Sequence, residues 1–581
     1  MGKRWNIFPH DPRRIADFER SVGVSPIVAQ LLMCRGVNDA SAAKRFLDAK
    51  LSDLRDPELL PGIPAAADRI MSAVRDRRRI VIYGDYDADG MTATALLYQC
   101  LKLLNADISY YVPNRLEEGY GLNEPALRTL AARGAAMVVS VDCGIGSIRE
   151  AEVARELGLE LIITDHHQFA ERLPEAAAIV HPRLPGSNYP FGDLCGAGVA
   201  FKLAWALCCR ASEAKKVSER MREFLLSAIG LAAMGTVADV VGLTDENRIL
   251  VRHGLVSLRE RPSLGVLALC KVTKLHDKPC LSAEDIAFSL APRLNAAGRL
   301  GQAQLGVELL TTDSPERAGS LAEYIHQLNI SRDSLERSVY LAAAKQIKEQ
   351  FDTADPAFVL AGTAWHPGVI GIVAGRLAEK YCRPVVLISL DEFSAKPGCG
   401  SGRSACGVNL HAAFQTCSHH LLAHGGHAAA AGLKIAPPSI DAFRNEFCEY
   451  VVQSTSESTR LAVVAVDAEA TFSQLTLQTV QQIEALAPFG HGNPRAILCA
   501  SGVQLADAPR RLGSGDRHIS VKLVQNRVPV RAVGFGQGDW FDELSQQQGP
   551  IDIAYRPVIN DFKGHRSVEI HLVDWRKSQS E

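Results

Sequence analysis

The most constraining feature of this 581-residue chain is an apolar run ending in three aspartates at alternate positions, Ile80-Val-Ile-Tyr-Gly-Asp85-Tyr-Asp87-Ala-Asp89-Gly. Met91 to Leu104 follows without Gly or Pro and with helical spacing of its apolar residues, so the segment reads strand, loop, helix. The pattern recurs. Met137 to Val141 runs into Asp142-Cys-Gly-Ile-Gly and a helical stretch to Leu157; Leu159 to Thr164 runs into Asp165-His166-His167; Ala176 to Val180 has strand character. Short apolar strands alternating with helices predict a parallel sheet covered on both faces. Ligands of such sheets bind beyond the carboxyl ends of the strands. Three loops rich in Asp and His therefore share one rim.

Aspartates crowded at alternate positions raise one another's pKa unless cations neutralise them, so the rim predicts a cation site. An EF-hand is excluded because the twelfth position from Asp85, where a bidentate acid belongs, is Leu96. Mixed carboxylate and imidazole donors suit Mn²⁺, or Mg²⁺ with retained waters, better than a closed thiolate zinc site. Gly235-Thr-Val-Ala-Asp239 adds a carboxylate in apolar surroundings, which taken alone reads as a capping residue.

Beyond the first sheet, Pro315 to Pro356 is interrupted only by Gly319. Its roughly 35 helical residues would span on the order of 50 Å, enough to connect two lobes. A second α/β block follows: strand-like Ala357 to Ala361, helix-like Val369 to Tyr381, strand-like Pro384 to Ser389, and a glycine-rich segment from Pro397 to Ser404 whose backbone N–H groups could approach phosphate oxygens. From about Leu461 short alternating strands predict a small barrel or sandwich. Residues 510–531 carry Arg510, Arg511, Arg517, Lys522, Arg527 and Arg531 against one acid, Asp516. Phe535, Trp540 and Tyr555 are candidate stacking platforms for bases. With 63 basic and 65 acidic residues overall, any nucleic-acid groove is local, not a cationic glove.

Fourteen scattered cysteines without a C-x-x-C pair argue against a disulfide framework and for a reducing cytoplasm. The N-terminus lacks the apolar stretch of a secretory signal. Phe224 to Leu243, though apolar, contains Asp239, Gly230 and Gly235, and reads as buried core; no membrane association is expected. Cys399, Cys406, Cys417, His419, His420, His424 and His427 match no standard zinc finger in spacing, so structural zinc is not expected there.

Asp-Tyr-Asp-Ala-Asp-Gly, Val-Asp-Cys-Gly, Asp-His-His and Gly-Thr-Val-Ala-Asp, in that order, resemble the DHH phosphoesterase superfamily. Ser401-Gly-Arg-Ser and Gly425-Gly-His-Ala-Ala-Ala-Ala-Gly432 resemble its DHHA1 domain. Val112-Pro-Asn-Arg-Leu-Glu-Glu-Gly-Tyr-Gly-Leu, Ala291-Pro-Arg-Leu-Asn-Ala-Ala-Gly-Arg299 and the basic terminal barrel narrow the resemblance to the RecJ family of single-stranded-DNA-specific exonucleases. The resemblance covers about residues 50 to 575.

That resemblance implies an α/β fold: a parallel-sheet DHH domain (51–313), a connector helix (314–352), an α/β DHHA1 domain (353–455) and an OB-like barrel (456–576), flanked by an N-terminal extension (1–50) and a tail (577–581). It implies two Mn²⁺ or Mg²⁺ ions on Asp87, Asp89, Asp142, His166 and Asp239, with Asp142 bridging. Asp85 would give outer support and His167 a phosphate contact. Arg115, Arg293, Arg299, Arg376, Arg403, Asn295, Ser401 and His427 would hold the strand and its terminal phosphate. The implied activity is 5′→3′ hydrolysis of single-stranded DNA to 5′-mononucleotides by a cytoplasmic, monomeric repair and recombination enzyme, supplied by a helicase and a single-strand-binding protein. The rival readings are a small-substrate DHH phosphoesterase, such as a nanoRNase or 3′-phosphonucleotide phosphatase, and a non-catalytic DNA-binding relative.

Overall fold

The structure, a computed structural model, describes residues 3–578 except 116, 170, 213–216, 353–354, 393–395, 406, 455–462, 514 and 563. Cys406 and the expected boundaries near 353 and 455 lie outside the described residues, as does most of the tail. The chain opens with strand β1 (Arg4–Ile7) and helices α1 (Pro12–Val22), α2 (Pro26–Cys34) and α3 (Ala40–Asp48). The first sheet follows: β2 (Ile80–Tyr83), β3 (Ile108–Tyr111), β4 (Met137–Val141), β5 (Glu160–Thr164) and β6 (Ala178–Val180), all parallel in the order β3-β2-β4-β5-β6. The inner strands β2 and β4 are buried along their whole length, as near-continuous apolar runs should be. Edge strand β3 was not anticipated, because Ile-Ser-Tyr-Tyr is short and half-buried and gains strand character only by pairing with β2.

Helix α4 (Ala88–Leu103) begins inside the aspartate motif and is buried on nearly every side, against α5 (Gly196–Ala211) and α6 (Glu219–Ala238). Helix α6 is the apolar window. It is long and apolar enough to cross a membrane, yet 56% of that stretch is buried inside the protein, and its C-cap is Asp239. Helices α7 (Asp245–Glu260) and α8 (Ala291–Arg299) complete this lobe, α8 following a π-helical turn at Ile286–Leu290.

The connector is one helix, α9 (Pro315–Gln350), of 36 residues, with Gly319 inside it. The second lobe has a mixed sheet of β7 (Phe358–Gly362), β8 (Val385–Ser389), β9 (Gly398–Arg403), β10 (Leu421–Gly426) and β11 (Ala430–Ile435), in the order β10-β11-β9-β8-β7, with helices α10 (Pro367–Tyr381) and α11 (Ile440–Ser454). The glycine-rich segment is therefore not a phosphate-binding loop. It is the central strand β9, whose backbone is committed to ladders with β8 and β11. A Cβ on Gly400 would stand 2.6 Å from the Leu433 side chain, so glycine here serves close packing.

The C-terminal strands β12 (Val463–Val466), β13 (Ala468–Glu469), β14 (Leu498–Leu505), β15 (Arg510–Leu512), β16 (His518–Gln525), β17 (Val528–Gly534), β18 (Ile551–Phe562) and β19 (His565–Lys577) form a seven-stranded sheet from β13 onward, which closes through β14–β16. Residues 4–48, set apart by sequence as an extension, belong to this domain. Strand β1 pairs in parallel with β12. Ile15, Phe18, Ile27, Val28, Leu31 and Leu32 share one core with Phe472, Leu498, Val521, Leu523, Ile553 and Leu572. At roughly 1.5–3 kcal/mol for each large apolar side chain buried, this arm depends on the barrel. Arg248 of α7 pins the assembly to the first lobe. Only 2% exposed, it donates to Phe46 O (2.8 Å), Leu486 O (2.9 Å) and Ala487 O (2.9 Å) and stacks on Phe46.

Candidate metal centre and nucleic-acid interface

The rim of the first sheet gathers the expected side chains. Asp87 caps α4, its Oδ1 accepting from the N–H groups of Asp89 (2.9 Å) and Gly90 (3.0 Å). Asp89, one turn in, accepts from Gly196 N–H (2.7 Å) and Ala197 N–H (2.9 Å) at the start of α5. Asp142 follows β4 in the left-handed region, φ 63°, a strained placement for a residue that is not glycine. His166 follows β5, and its Nε2 lies 3.1 Å from Asp142 Oδ1, 3.6 Å from Asp239 Oδ2 and 3.9 Å from Asp89 Oδ2. Two glycines make the convergence possible. A Cβ on Gly196 would sit 2.5 Å from the Asp142 carboxylate, and one on Gly235 2.3 Å from Asp89 Oδ1.

This arrangement is electrostatically unsatisfied. Burial, then the charges of Asp89, Asp87, Asp85 and Asp239, push Asp142 well above the usual carboxylate range. Burial and Asp87 lift Asp89 to about 6; burial with Asp89 and Asp87 lifts Asp239 to about 8. Burial lowers His166 to about 3, keeping it neutral and free to donate a lone pair. Asp85 Oδ1, Asp142 Oδ1 and His166 Nε2 are buried without a hydrogen-bond partner. Donor atoms gather in two adjacent sets, Asp85/Asp87/Asp142 and Asp89/His166/Asp239, with Asp142 also grouped with His166 and His167. Orphaned donors in oxygen-rich sets fit hard divalent cations. Asp85 thus stands in the donor group itself rather than behind it.

Three features of the rim escaped the sequence reading. Asp165 does not face the donor sets. It accepts from the N–H groups of Ile145, His166 and His167 and from His167 Nδ1 (2.8 Å), and burial against these bonds leaves it at about 2. His167 is thereby oriented: burial opposes its charge, but Asp165, with Asp239 and Asp89, raises it to about 9. Tyr120 OH lies 3.1 Å from the same Nδ1 and donates to Asp142 O. The acid two residues before His167 was the available signal for the first feature. Tyr120 lies within the Val112–Leu122 motif, which was the available signal for it, whereas nothing local marks the Gly196 N–H.

Three of the candidate arginines meet at the seam between the lobes. Arg115 lies over the Tyr86 ring at 4.9 Å, inside the aspartate motif. Arg299 reaches across to donate to Gly368 O of α10 (3.1 Å). Arg403 of β9 donates to Ser401 Oγ (2.9 Å). Burial and mutual repulsion lower Arg299, to about 10, and also Arg403. No ion pair neutralises any of the three among the described residues, so the cluster is a ready anion site. The other candidates lie elsewhere. Arg293 donates to Ser289 O, with Arg332 and Asp333 of α9 as its charged neighbours. Arg376 pairs with Glu336 (2.6 Å) and stacks on Tyr340, tying α10 to the connector. Asn295 accepts from Ala88 N–H (2.8 Å) and so braces the aspartate loop. His427 is exposed at the β10–β11 turn.

On the barrel, Phe535 is 56% exposed between His518 and His571. Tyr555 is core, its OH donating to Ala470 O (2.9 Å), and Trp540 packs against the same core, so neither is a platform. The basic stretch is partly neutralised: Arg511 pairs with Asp516 and Asp542, and Arg531 with Glu569. A groove of about 410 Å³ runs from Val240 and Asn295, next to Asp239, past Phe288 to Arg495 and Arg556 of the barrel.

Buried carboxylates that repel one another until cations arrive, facing an unneutralised guanidinium cluster, suit phosphoester chemistry, and the family comparisons place the fold in that class. The DHH family N-terminal domain matches residues 79–229, the DHHA1 domain residues 354–453 and the RecJ OB domain residues 466–574. The single-stranded-DNA-specific exonuclease RecJ of Dickeya dadantii is 36% identical over 577 residues, 96% of this chain and 97% of its own. Crystal structures of RecJ from Thermus thermophilus with Mn²⁺ and with Mg²⁺ superpose with TM-scores of 0.83 and 0.78 at 30% identity, each covering 99% of this chain and 80% and 79% of theirs. The chain belongs to the RecJ family.

Proposed function

We propose that this chain hydrolyses single-stranded DNA from its 5′ end, releasing 5′-mononucleotides, with two Mn²⁺ or Mg²⁺ ions. The observation that carries the reading is the guanidinium cluster beside the rim: Arg115 stacks on Tyr86, between Asp85 and Asp87, and the charge of Arg115 acts on Asp85 as that of Asp87 acts on Arg299. A terminal phosphate in the cluster would set the first phosphodiester over the donor sets.

Asp87, Asp89, Asp142, His166 and Asp239, with Asp85, would hold the ions. When bound, they supply activation of water and neutralisation of charge on the reacting phosphate. His167, whose Nδ1 is engaged by Asp165, would turn Nε2 toward the scissile phosphate. Arg115, Arg299 and Arg403 grip the end, Ser401 aligns Arg403, and Asn295 fixes the loop carrying Asp87. The groove toward Arg495 and Arg556 and the exposed ring of Phe535 would guide the following nucleotides across the barrel.

The reading includes a monomer in the cytoplasm, a compartment that suits the unpaired thiols of every described cysteine. It also includes strands delivered by a helicase and a single-strand-binding protein, since duplex DNA must be opened before such a site can act. Digestion of 5′-labelled and 3′-labelled single strands, with duplex controls and with metal omitted, tests reaction, polarity and strandedness. Release of 3′ label first, or cutting without a divalent ion, would refute it.

A further inference from the structure

A second convergence of metal-binding side chains lies on the second lobe, away from the rim. His419 and His420 occupy a single 3₁₀ turn, Ser418–His420, and Glu446 lies on α11. Both imidazole Nε2 atoms turn toward one carboxylate oxygen: His419 lies 3.0 Å and His420 2.9 Å from Glu446 Oε2. Neither ring makes a hydrogen bond to that oxygen among the described residues, although both distances are short enough for one. The same signature marks the rim, where His166 Nε2 lies 3.1 Å from Asp142 Oδ1 and stays unbonded. On the second lobe both imidazoles pair with the same carboxylate oxygen, so three donor atoms are gathered around one point where a single ion can replace both pairs. Tetrahedral zinc with bonds of about 2.0–2.1 Å separates its donors by about 3.3 Å, so the two nitrogen–oxygen distances need grow only by a few tenths of an ångström, and all three donor atoms lie within 4.8 Å of one another.

No local pattern joins these three residues. The cysteines and histidines of 399–427 have no finger spacing, and the described thiols do not take part: Cys417 is buried in the lobe's core and Cys399 is exposed on β9. The completing ligand comes from a helix 26 residues beyond His420.

We propose that His419, His420 and Glu446 form a zinc-class metal site with a water at the fourth position. Two imidazoles and one carboxylate favour Zn²⁺ or Co²⁺ over Mn²⁺ and Mg²⁺, the opposite preference to the oxygen-rich rim. The site ties the entry of β10, the edge strand of its sheet, to α11, and β10 runs from there to the turn carrying His427. Its ion therefore braces the exposed edge of the second lobe and takes no part in hydrolysis.

The test uses the full chain, stripped with chelator and refilled with excess Mn²⁺ so that the rim is occupied, then titrated with Co²⁺. One Co²⁺ per chain should bind without being displaced by Mn²⁺, show the visible absorption of a four-coordinate centre, and yield to Zn²⁺. Glu446→Gln and, separately, His420→Ala should each weaken that binding about tenfold or more while leaving Mn²⁺-supported nuclease activity unchanged. Asp142→Ala should keep the Co²⁺ ion. Equal Co²⁺ uptake by wild type and both variants, or its loss in Asp142→Ala, would overturn the site. Because Glu446→Gln preserves shape, it decides the matter even if His420→Ala folds poorly.

Discussion

At the rim, five carboxylates are supplied by strand ends of one sheet and by helices packed upon it; across the seam, three guanidinium groups come from three distant segments in two lobes. Each region collects like charges that the protein leaves unneutralised. Burial raises Asp85, Asp89, Asp142 and Asp239 toward protonation and lowers Arg299 and Arg403, so each region carries an electrostatic cost that a ligand of opposite charge removes. The rim calls for cations and the seam for an anion, and a phosphate chain end with its metal ions is complementary to both. The difference lies in rigidity. Rim donors are fixed by helix starts and buried backbone N–H groups, whereas the seam depends on how two lobes meet.

The largest expected effect tests the rim. Asp142→Ala should lower turnover about a thousandfold or more, because it removes a carboxylate of the Asp85/Asp87 set that is also grouped with His166 of the neighbouring set. Nuclease assays with calorimetric Mn²⁺ titration check it, and near-normal turnover would break the two-set description. Next, Gly196→Ala leaves every ligand in place but drives a Cβ to 2.5 Å from Asp142, so turnover should fall about a hundredfold by displacement alone. Single-strand affinity measured in Ca²⁺ should hold; unchanged turnover would show that the rim tolerates slack.

At the seam, Arg299→Ala or Arg403→Ala should reduce the preference for 5′-phosphorylated over 5′-hydroxyl strands about tenfold. Arg376→Ala, already paired with Glu336, should leave that ratio alone. If all three variants behave alike, the seam is not an end reader. The smallest effect concerns the barrel. Arg510, Lys522 and Arg527 carry no ion pair among the described residues. Removing residues 4–48 and 463–577 together should therefore flatten the slope of log affinity against log salt by about 2 on long strands. Removing the barrel alone should yield aggregated protein, since Phe18, Ile27 and Leu31 lose their cover.

Most of the rim could be read from sequence because Asp85, Asp87, Asp142 and His166 each follow a strand whose periodicity is local, and the sheet rule gathers strand ends on one side; Asp239, which alone reads as a capping residue, came only with the family resemblance. The connector was legible from its own local periodicity. The seam was only half legible. Arg293 and Arg299 lie in one motif, and which of them points between the lobes depends on the orientation of α8 and on Gly368 of another domain. Strand β9 was read as a phosphate-binding glycine motif, because Gly398, Gly400 and Gly402 signal close anion approach in isolation and tight packing once Ile388, Leu433 and Phe414 stand beside them. Pairing β1 with β12 joins residues some 460 positions apart, beyond the reach of any local pattern.

That last pairing bears on how the molecule is made. More than 400 residues separate α3 from Val463, so at about 5–20 residues per second the arm waits roughly 20–80 s on the ribosome before its partner is synthesised. During that interval the faces of α1 and α2 that will meet the barrel are bare, while the DHH lobe can already fold. Arg248 has only one of its three acceptor sites, Phe46 O, until Leu486 and Ala487 arrive. The ring of contacts around the first lobe is thus closed last, and until then the apolar faces of α1 and α2 stay uncovered.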